Sequence, residues 1–161
     1  MSFLVDTSIL ARLANTADKQ YPVALQSVIE LHRQGETLYV TPQTIIEFRS
    51  VATRPQANNG LGLSSTESDR QTTRFESLFP LVVDTPGIFP VWKSIVSQAG
   101  TIGKQVHDAR LVAVCHVHAI THLLTFNTIH FQRFASIAPG IIVVDPMTVY
   151  RDDSDFTRLS L

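Results

Sequence analysis

The sequence has a single cysteine, no long apolar run and almost no net charge, and each of these shortages excludes a class of protein. Because Cys115 is its one thiol, the chain cannot form an intramolecular disulfide framework or a metal site made only of cysteines, which favours a reducing cytoplasm. No segment approaches the roughly 18 consecutive apolar residues that a membrane helix needs. Asp6 interrupts the N-terminus before any stretch long enough for a signal peptide. We therefore expect a cytoplasmic protein with no membrane segment.

Charge and composition narrow the class further. Lysine and arginine total 13 and aspartate and glutamate total 14, which gives a net charge of -1. That balance argues against a polybasic protein, although a local basic patch can still bind a phosphate backbone. The chain has 161 residues, of which 44% are hydrophobic and 17% charged, so it is too apolar to be disordered and long enough for one domain with one core.

Short β-rich runs alternate with longer helical runs along the chain, which predicts an α/β domain. We expect a single domain over residues 1–146, with a central parallel sheet of about five strands flanked by helices, and a polar C-terminal tail over 147–161. The predicted strands are short apolar runs at residues 3–5, 38–40, 81–83, 122–125 and 141–144. Helical patterns cover about 8–15, 22–35, 42–54, 64–79, 88–99, 105–118 and 129–134.

Four polar residues stand where such a fold places its ligand site, beyond the carboxyl ends of the parallel strands. Asp6 directly follows the first strand, and Asn127 follows the fourth predicted strand. Glu47 lies about one and a half turns into the helix that follows the second strand, and Asp108 lies in the first turn of the helix before the fourth. We expect these side chains to meet in one cleft.

The helical spacing indicates that two of these acids do not face open water. Asp108 shares one helical stripe with Leu111, Val112 and Cys115, and Glu47 lies at the margin of the apolar face of its own helix. Half-buried carboxylates in one cleft repel one another, and a divalent cation relieves that repulsion. Hard oxygen ligands favour Mg²⁺ or Mn²⁺ over Zn²⁺, and such an ion polarises a phosphodiester and generates a hydroxide for in-line attack.

Each of these residues also has an ordinary structural role open to it. Asp6 and Asn127 are good N-cap residues, Asp108 suits the first turn of a helix, and Glu47 can pair with a surface arginine. Four basic residues lie near these positions in the sequence and can either contact phosphates or balance local acids: Arg12, Arg49, Lys104 and Arg110. Two histidines near the candidate residues, His107 and His130, can contact a substrate.

Four short segments carry the candidate residues in a fixed order. They are VDTSIL at 5–10, TIIEF at 44–48, HDARLVA at 107–113, and LTFN at 124–127 with HF at 130–131. In order, spacing and length these segments resemble the motifs of the PIN-domain ribonucleases, and they are most similar to the VapC type, the toxin half of a toxin–antitoxin pair. The resemblance covers about residues 1–146.

The resemblance implies a Mg²⁺- or Mn²⁺-dependent endoribonuclease. Asp6, Glu47 and Asp108 would be the catalytic acids that hold the metal and the attacking water. Asn127 stands where many relatives carry a fourth aspartate; its amide oxygen can support a metal site but brings no charge. We therefore expect a less negative site in which a second metal is held weakly.

The resemblance also implies supporting residues and partners. Thr7 or Ser8 would help orient a ligand or water, and Arg110 and Thr125 would bind substrate or support the site. An RNA substrate, a small antitoxin protein and a second copy of the chain in a homodimer are the expected partners. Two other interpretations stay open: a non-catalytic PIN module for RNA binding or scaffolding, and a DNA nuclease or phosphatase on a similar fold.

Overall fold

The computed structural model describes residues 1–150, and within them a parallel β-sheet forms the centre of the molecule. Its strands are β1 (Ser2–Val5), β2 (Thr37–Tyr39), β3 (His122–Leu124) and β4 (Ile142–Val144), in the order β2-β1-β3-β4. Every neighbouring pair is parallel, which confirms the predicted fold class.

Eight α-helices lie in the described residues, together with a short 3-10 turn at Gln56–Asn58. The helices are α1 (Thr7–Leu13), α2 (Tyr21–Arg33), α3 (Pro42–Thr53), α4 (Ser65–Leu78), α5 (Ile88–Ala99), α6 (Gln105–Val117), α7 (Thr128–Gln132) and α8 (Pro146–Val149). The seven helices predicted from the sequence are all present, with ends shifted by no more than two residues.

The sheet separates two apolar layers, because alternate residues of a strand point to opposite faces. Phe3 and Val5 of β1 pack into a cluster with Phe48 of α3 and other buried residues of α1, α2 and α4. Leu4 packs on the other face with Leu111 and the remaining buried residues of α5, α6 and α7. Both faces of the short central strand are therefore covered, as its continuous apolar sequence predicts.

The prediction of a strand at 81–83 is wrong. Within the described residues this segment forms only an isolated parallel bridge between Val40 and Leu81, supported by two backbone hydrogen bonds. Pro80 has no N–H to donate, and Leu81 and Val83 remain 44% and 60% exposed, so the segment gains little from joining the sheet. The described sheet therefore has four strands rather than five.

The end of the described chain packs back on the domain. Asp145 caps α8 by accepting a hydrogen bond from the Met147 N–H at 2.9 Å, and α8 packs against α2. The predicted tail at 147–161 thus begins inside a short helix, and its residues 151–161 lie outside the described residues. Among residues 1–150, every helix is too short or too polar to cross a lipid bilayer.

Candidate active site

The first candidate acid, Asp6, lies where β1 ends beside β3. Its backbone N–H donates to the Leu124 carbonyl at 3.0 Å, which continues the strand pairing by one step. The Thr125 hydroxyl donates to Asp6 Oδ2 at 2.7 Å, and the Ser8 N–H lies 3.3 Å from the same oxygen. Asp6 therefore is the N-cap of α1, as the structural interpretation predicts, and is also a carboxylate fixed at the sheet edge with only 5% of its surface exposed.

Ser8 and Thr125 support this carboxylate through a network of hydroxyl groups. The two hydroxyl oxygens lie 3.3 Å apart, and the Ser8 hydroxyl accepts the Phe126 N–H at 3.1 Å. The Thr125 hydroxyl accepts the Asn127 N–H at 2.9 Å. Because both hydroxyls are buried and bonded to the segment after β3, they lock Asp6 against that segment.

The second acid, Glu47, projects from α3. The start of this helix is fixed by a capping box in which Thr41 and Thr44 exchange side-chain to backbone hydrogen bonds. Glu47 follows one turn later, and both of its carboxylate oxygens have partners. The Thr7 hydroxyl donates to Oε2 at 3.0 Å, and the Gln43 side-chain amide donates to Oε1 at 2.8 Å. Thr7 directly follows Asp6 in the chain, so this hydrogen bond links the end of β1 to Glu47.

The third acid, Asp108, lies in the first turn of α6, and 24% of its side chain is exposed. Burial raises the pKa of its carboxyl to about 6 from an ordinary value of 3.8. The negative charges of Asp6 and Glu47 raise that pKa further, while His130 and His107 lower it. The charges of two predicted acids, at the end of β1 and on α3, thus act on the third acid, on α6.

The start of α6 is also anchored from outside the cleft. The Trp92 indole N–H donates to the Val106 carbonyl at 2.8 Å, two residues before Asp108. His130 of α7 approaches from the other side, with Nδ1 3.8 Å from Asp108 Oδ2. Asp108 is therefore positioned by α5 and α7 as well as by its own helix.

These carboxylates have the chemistry of a hard-cation site but not yet its geometry. Among residues 1–150, no three acidic, histidine or cysteine side chains are gathered closely enough to hold a metal ion. The donor set consists of carboxylate oxygens whose mutual repulsion a divalent cation would relieve, which fits Mg²⁺ or Mn²⁺. Both carboxylate oxygens of Glu47 accept a hydrogen bond, one from Thr7 and one from Gln43.

Asn127 stands apart from the three acids. It is the N-cap residue of α7, its side chain is exposed, and in the part of the chain that the structure describes that side chain makes no capping hydrogen bond. Its backbone does take part, through its N–H to Thr125 and its carbonyl to His130. The structure therefore gives Asn127 a place at the margin of the site, without a side-chain contact to the acids.

An open cleft of about 930 Å³ adjoins two of the acids. Glu47 and Asp108 line it, together with the exposed cationic residues Arg54 and Lys104. Ile102 also lines the cleft and is 77% exposed. A cleft lined by both acids and cations can accept a phosphate backbone while holding a metal ion near it.

Arg110, another candidate, lines the cleft but is already paired. One guanidinium nitrogen lies 2.8 Å from Asp84 Oδ1, and another donates to Gln43 Oε1 at 3.0 Å. Neither partner of Arg110 is predicted from the sequence. Gln43 stands four residues before Glu47 on one helix face, so the sequence indicates its contact with Glu47 but not the one with Arg110. Nothing in the sequence singles out Asp84.

The other two candidate arginines serve the scaffold. Arg12 donates to the Ser8 carbonyl at 3.0 Å, and its guanidinium lies 4.7 Å from the centre of the Phe126 ring. Arg49 pairs with Asp69 of α4. Both arginines balance or cover local groups, which is the structural alternative for these positions.

Comparison with known proteins places this geometry in a family. The sequence profile of the PIN domain matches residues 3–137, a span that contains all three acids. None of the curated proteins matches in sequence. One similar solved structure is VapBC2 from Rickettsia felis, bound to a DNA fragment from its own promoter. It shares 16% sequence identity with this chain, with a TM-score of 0.65, and the match covers 90% of this chain and 98% of that one.

Two further structures share the fold. A toxin–antitoxin complex from Klebsiella pneumoniae has 22% identity and a TM-score of 0.59, with 89% of this chain and 96% of that one covered. VapC20 of Mycobacterium tuberculosis, a sarcin-ricin loop cleaving toxin, has 16% identity and a TM-score of 0.56, with 75% and 86% covered. The matched profile spans most of the chain, and the chain therefore belongs to the PIN-domain family.

Proposed function

We propose that this protein is a divalent-metal-dependent endoribonuclease and the toxin of a toxin–antitoxin pair. One observation carries the proposal: Asp6, Glu47 and Asp108 come from three separate elements, and the charges of Asp6 and Glu47 both raise the pKa of Asp108. Carboxylates placed in this way repel one another without a cation, and the motifs of the PIN-domain family to which the chain belongs imply a nuclease.

In the proposed site, Asp6, Glu47 and Asp108 would hold Mg²⁺ or Mn²⁺. Such an ion would supply Lewis-acid polarisation of a phosphodiester and a more nucleophilic water. The chain's own residues organise the acids: Ser8 and Thr125 fix Asp6, and Thr7 fixes Glu47.

RNA is the proposed substrate class. Arg54 and Lys104 line the same cleft as Glu47 and Asp108, where their charges can contact phosphates of a bound strand. One structural neighbour is described as a toxin that cleaves the sarcin-ricin loop, which supports RNA over DNA. An antitoxin partner has similar support, because another neighbour is a toxin–antitoxin complex. A homodimer and a cytoplasmic location stay predictions from the sequence.

Cleavage of a structured RNA tests the proposal. We expect wild-type protein to cut it with Mn²⁺ and not with EDTA, and Asp108→Asn to lose cleavage while Glu76→Gln, an exposed acid on α4, keeps it. Equal cleavage by the wild type and Asp108→Asn would contradict the proposal. A single-stranded DNA of the same sequence, left intact, would separate the ribonuclease from a DNA nuclease.

A second candidate function is non-catalytic RNA binding. Two observations favour it: the fourth motif carries Asn127 with its side chain at the surface, and within residues 1–150 the acids do not form a ready-made metal set. The same experiment discriminates, because this candidate predicts RNA binding without cleavage in both wild type and Asp108→Asn. Expression without an antitoxin gives a cellular test: growth arrest relieved by Asp6→Ala supports the toxin.

A further inference from the structure

Gln43 is a buried side chain with every hydrogen-bonding group in use. It lies on α3 one turn before Glu47 and is 8% exposed. Its amide nitrogen donates to Glu47 Oε1 at 2.8 Å and to the His107 carbonyl at 3.0 Å, and its amide oxygen accepts from Arg110 at 3.0 Å. Two acceptors face the nitrogen and a cation faces the oxygen, so the opposite amide orientation is excluded.

This amide connects the helix that carries one acid to the helix that carries another. The His107 carbonyl belongs to the residue directly before Asp108. Gln43 therefore fixes the distance between the start of α6 and the side chain of Glu47. A change at Gln43 acts on Glu47 directly, and on Asp108 through the backbone of α6.

Arg110 is held in the same chain of contacts. Its guanidinium bridges Gln43 Oε1 and Asp84 Oδ1, the latter at 2.8 Å. The charge is thereby satisfied by a carboxylate, and the fork of the guanidinium is directed at the amide that holds Glu47. This placement favours support of the acids over contact with a phosphate, the two roles that the sequence leaves open.

We propose that Gln43 and Arg110 are positioning residues that set the orientation of the Glu47 carboxylate toward the divalent cation. The inference rests on the proposed function, since it assumes that Glu47 is a metal ligand. Hydrogen bonds from outside the ligand set orient ligating carboxylates, and their removal costs about 10- to 100-fold in metal affinity. The partner of Gln43 on the other side, Arg110, acts one step farther from Glu47, so its removal has the smaller effect.

Mn²⁺ binding to the RNA-free protein, measured by electron paramagnetic resonance, tests the proposal. We expect Gln43→Leu to weaken Mn²⁺ binding by about 10- to 100-fold. Gln98→Leu is the matched control, because Gln98 also bonds a side chain one turn before it but lies on the exposed face of α5. Wild-type affinity in Gln43→Leu would overturn the inference alone, whereas a wild-type protein that binds no Mn²⁺ would overturn the proposed function as well.

A second variant keeps the test decisive if Gln43→Leu does not fold. Arg110→Met is expected to weaken Mn²⁺ binding and to leave the salt dependence of binding to a single-stranded RNA in EDTA unchanged. Lys104→Met, which removes a cation that lines the cleft, is expected to reduce the slope of that salt dependence by about one unit. The reverse result for Arg110→Met, a reduced slope with unchanged Mn²⁺ affinity, would make Arg110 a phosphate contact and refute its positioning role.

Discussion

The two halves of the candidate site are built differently. On the sheet side, Asp6 is almost fully buried, and hydroxyl and amide groups hold one of its oxygens where two strands end. On the helix side, Glu47 and Asp108 are partly exposed, lie on the early turns of two helices and line an open cleft. The sheet thus provides one nearly buried acid, whereas the helices provide two acids that line the cleft.

The sharpest test of this comparison is loss of catalysis. Asp6→Asn and Asp108→Asn are each expected to lower the cleavage rate by at least about 100-fold, because each removes a charge that would hold the cation. Initial rates with Mn²⁺ on one RNA substrate measure the effect. A tenfold or smaller loss in either variant would place that acid outside the reacting centre.

The second-largest effect is expected on the stability of the sheet side. Thr125→Val removes the shortest hydrogen bond to Asp6 and leaves a buried carboxylate oxygen with one partner fewer, which we expect to cost about 1–3 kcal/mol of unfolding free energy. Urea denaturation measures it. Unchanged stability would show that Asp6 does not depend on the segment after β3.

The pH dependence of the unfolding free energy tests the helix side. The pKa of the Asp108 carboxyl is raised to about 6 in the folded protein, so between about pH 4 and 6 the folded state holds more protons than the unfolded state. Metal-free wild type should therefore lose stability as pH rises through that window. Asp108→Asn lacks this loss and should melt roughly 2–4 °C higher than the wild type at pH 7.5 in EDTA.

The advantage of Asp108→Asn should disappear near pH 4, where the wild-type carboxyl is protonated in the folded state. Thermal melts of both proteins at the two pH values measure it. Equal melting temperatures at pH 7.5 would mean that burial and the neighbouring acids do not disfavour the Asp108 charge.

The smallest effect is expected at Thr7. Thr7→Val removes one hydrogen bond to Glu47 but leaves the bond from Gln43, and Glu47 can turn to solvent, so we expect a loss of about 0.5–1.5 kcal/mol. The same urea denaturation compares it with Thr125→Val. A larger cost at Thr7 than at Thr125 would reverse the contrast between the two halves.

Local signals in the sequence predict the frame of this site. The run before Asp6 is short and apolar, as a strand covered on both faces requires, and the spacing of Leu111, Val112 and Cys115 predicts the buried face of α6. The capping box at Ser64 and Glu67 forms as its pattern predicts, and the backbone bond from Ser64 lowers the pKa of Glu67. Such features depend on residues within a few positions of one another.

The features that sequence reasoning missed depend on distant neighbours. Residues 81–83 have the composition of a strand, but membership of a sheet edge is decided by the burial that the neighbours offer. The bond between Gln43 and Arg110 joins residues 67 positions apart, so it becomes visible only when α3 and α6 are packed together. The contribution of Asn127 likewise depends on how α7 is turned relative to the acids.

A crystal soaked in Mn²⁺ and measured by anomalous scattering tests the central claim most directly. The account predicts a peak within coordination distance of carboxylate oxygens from Asp6, Glu47 and Asp108. A protein that binds no Mn²⁺ there at saturating concentration, or binds it only elsewhere, would contradict the claim that these acids form one metal centre.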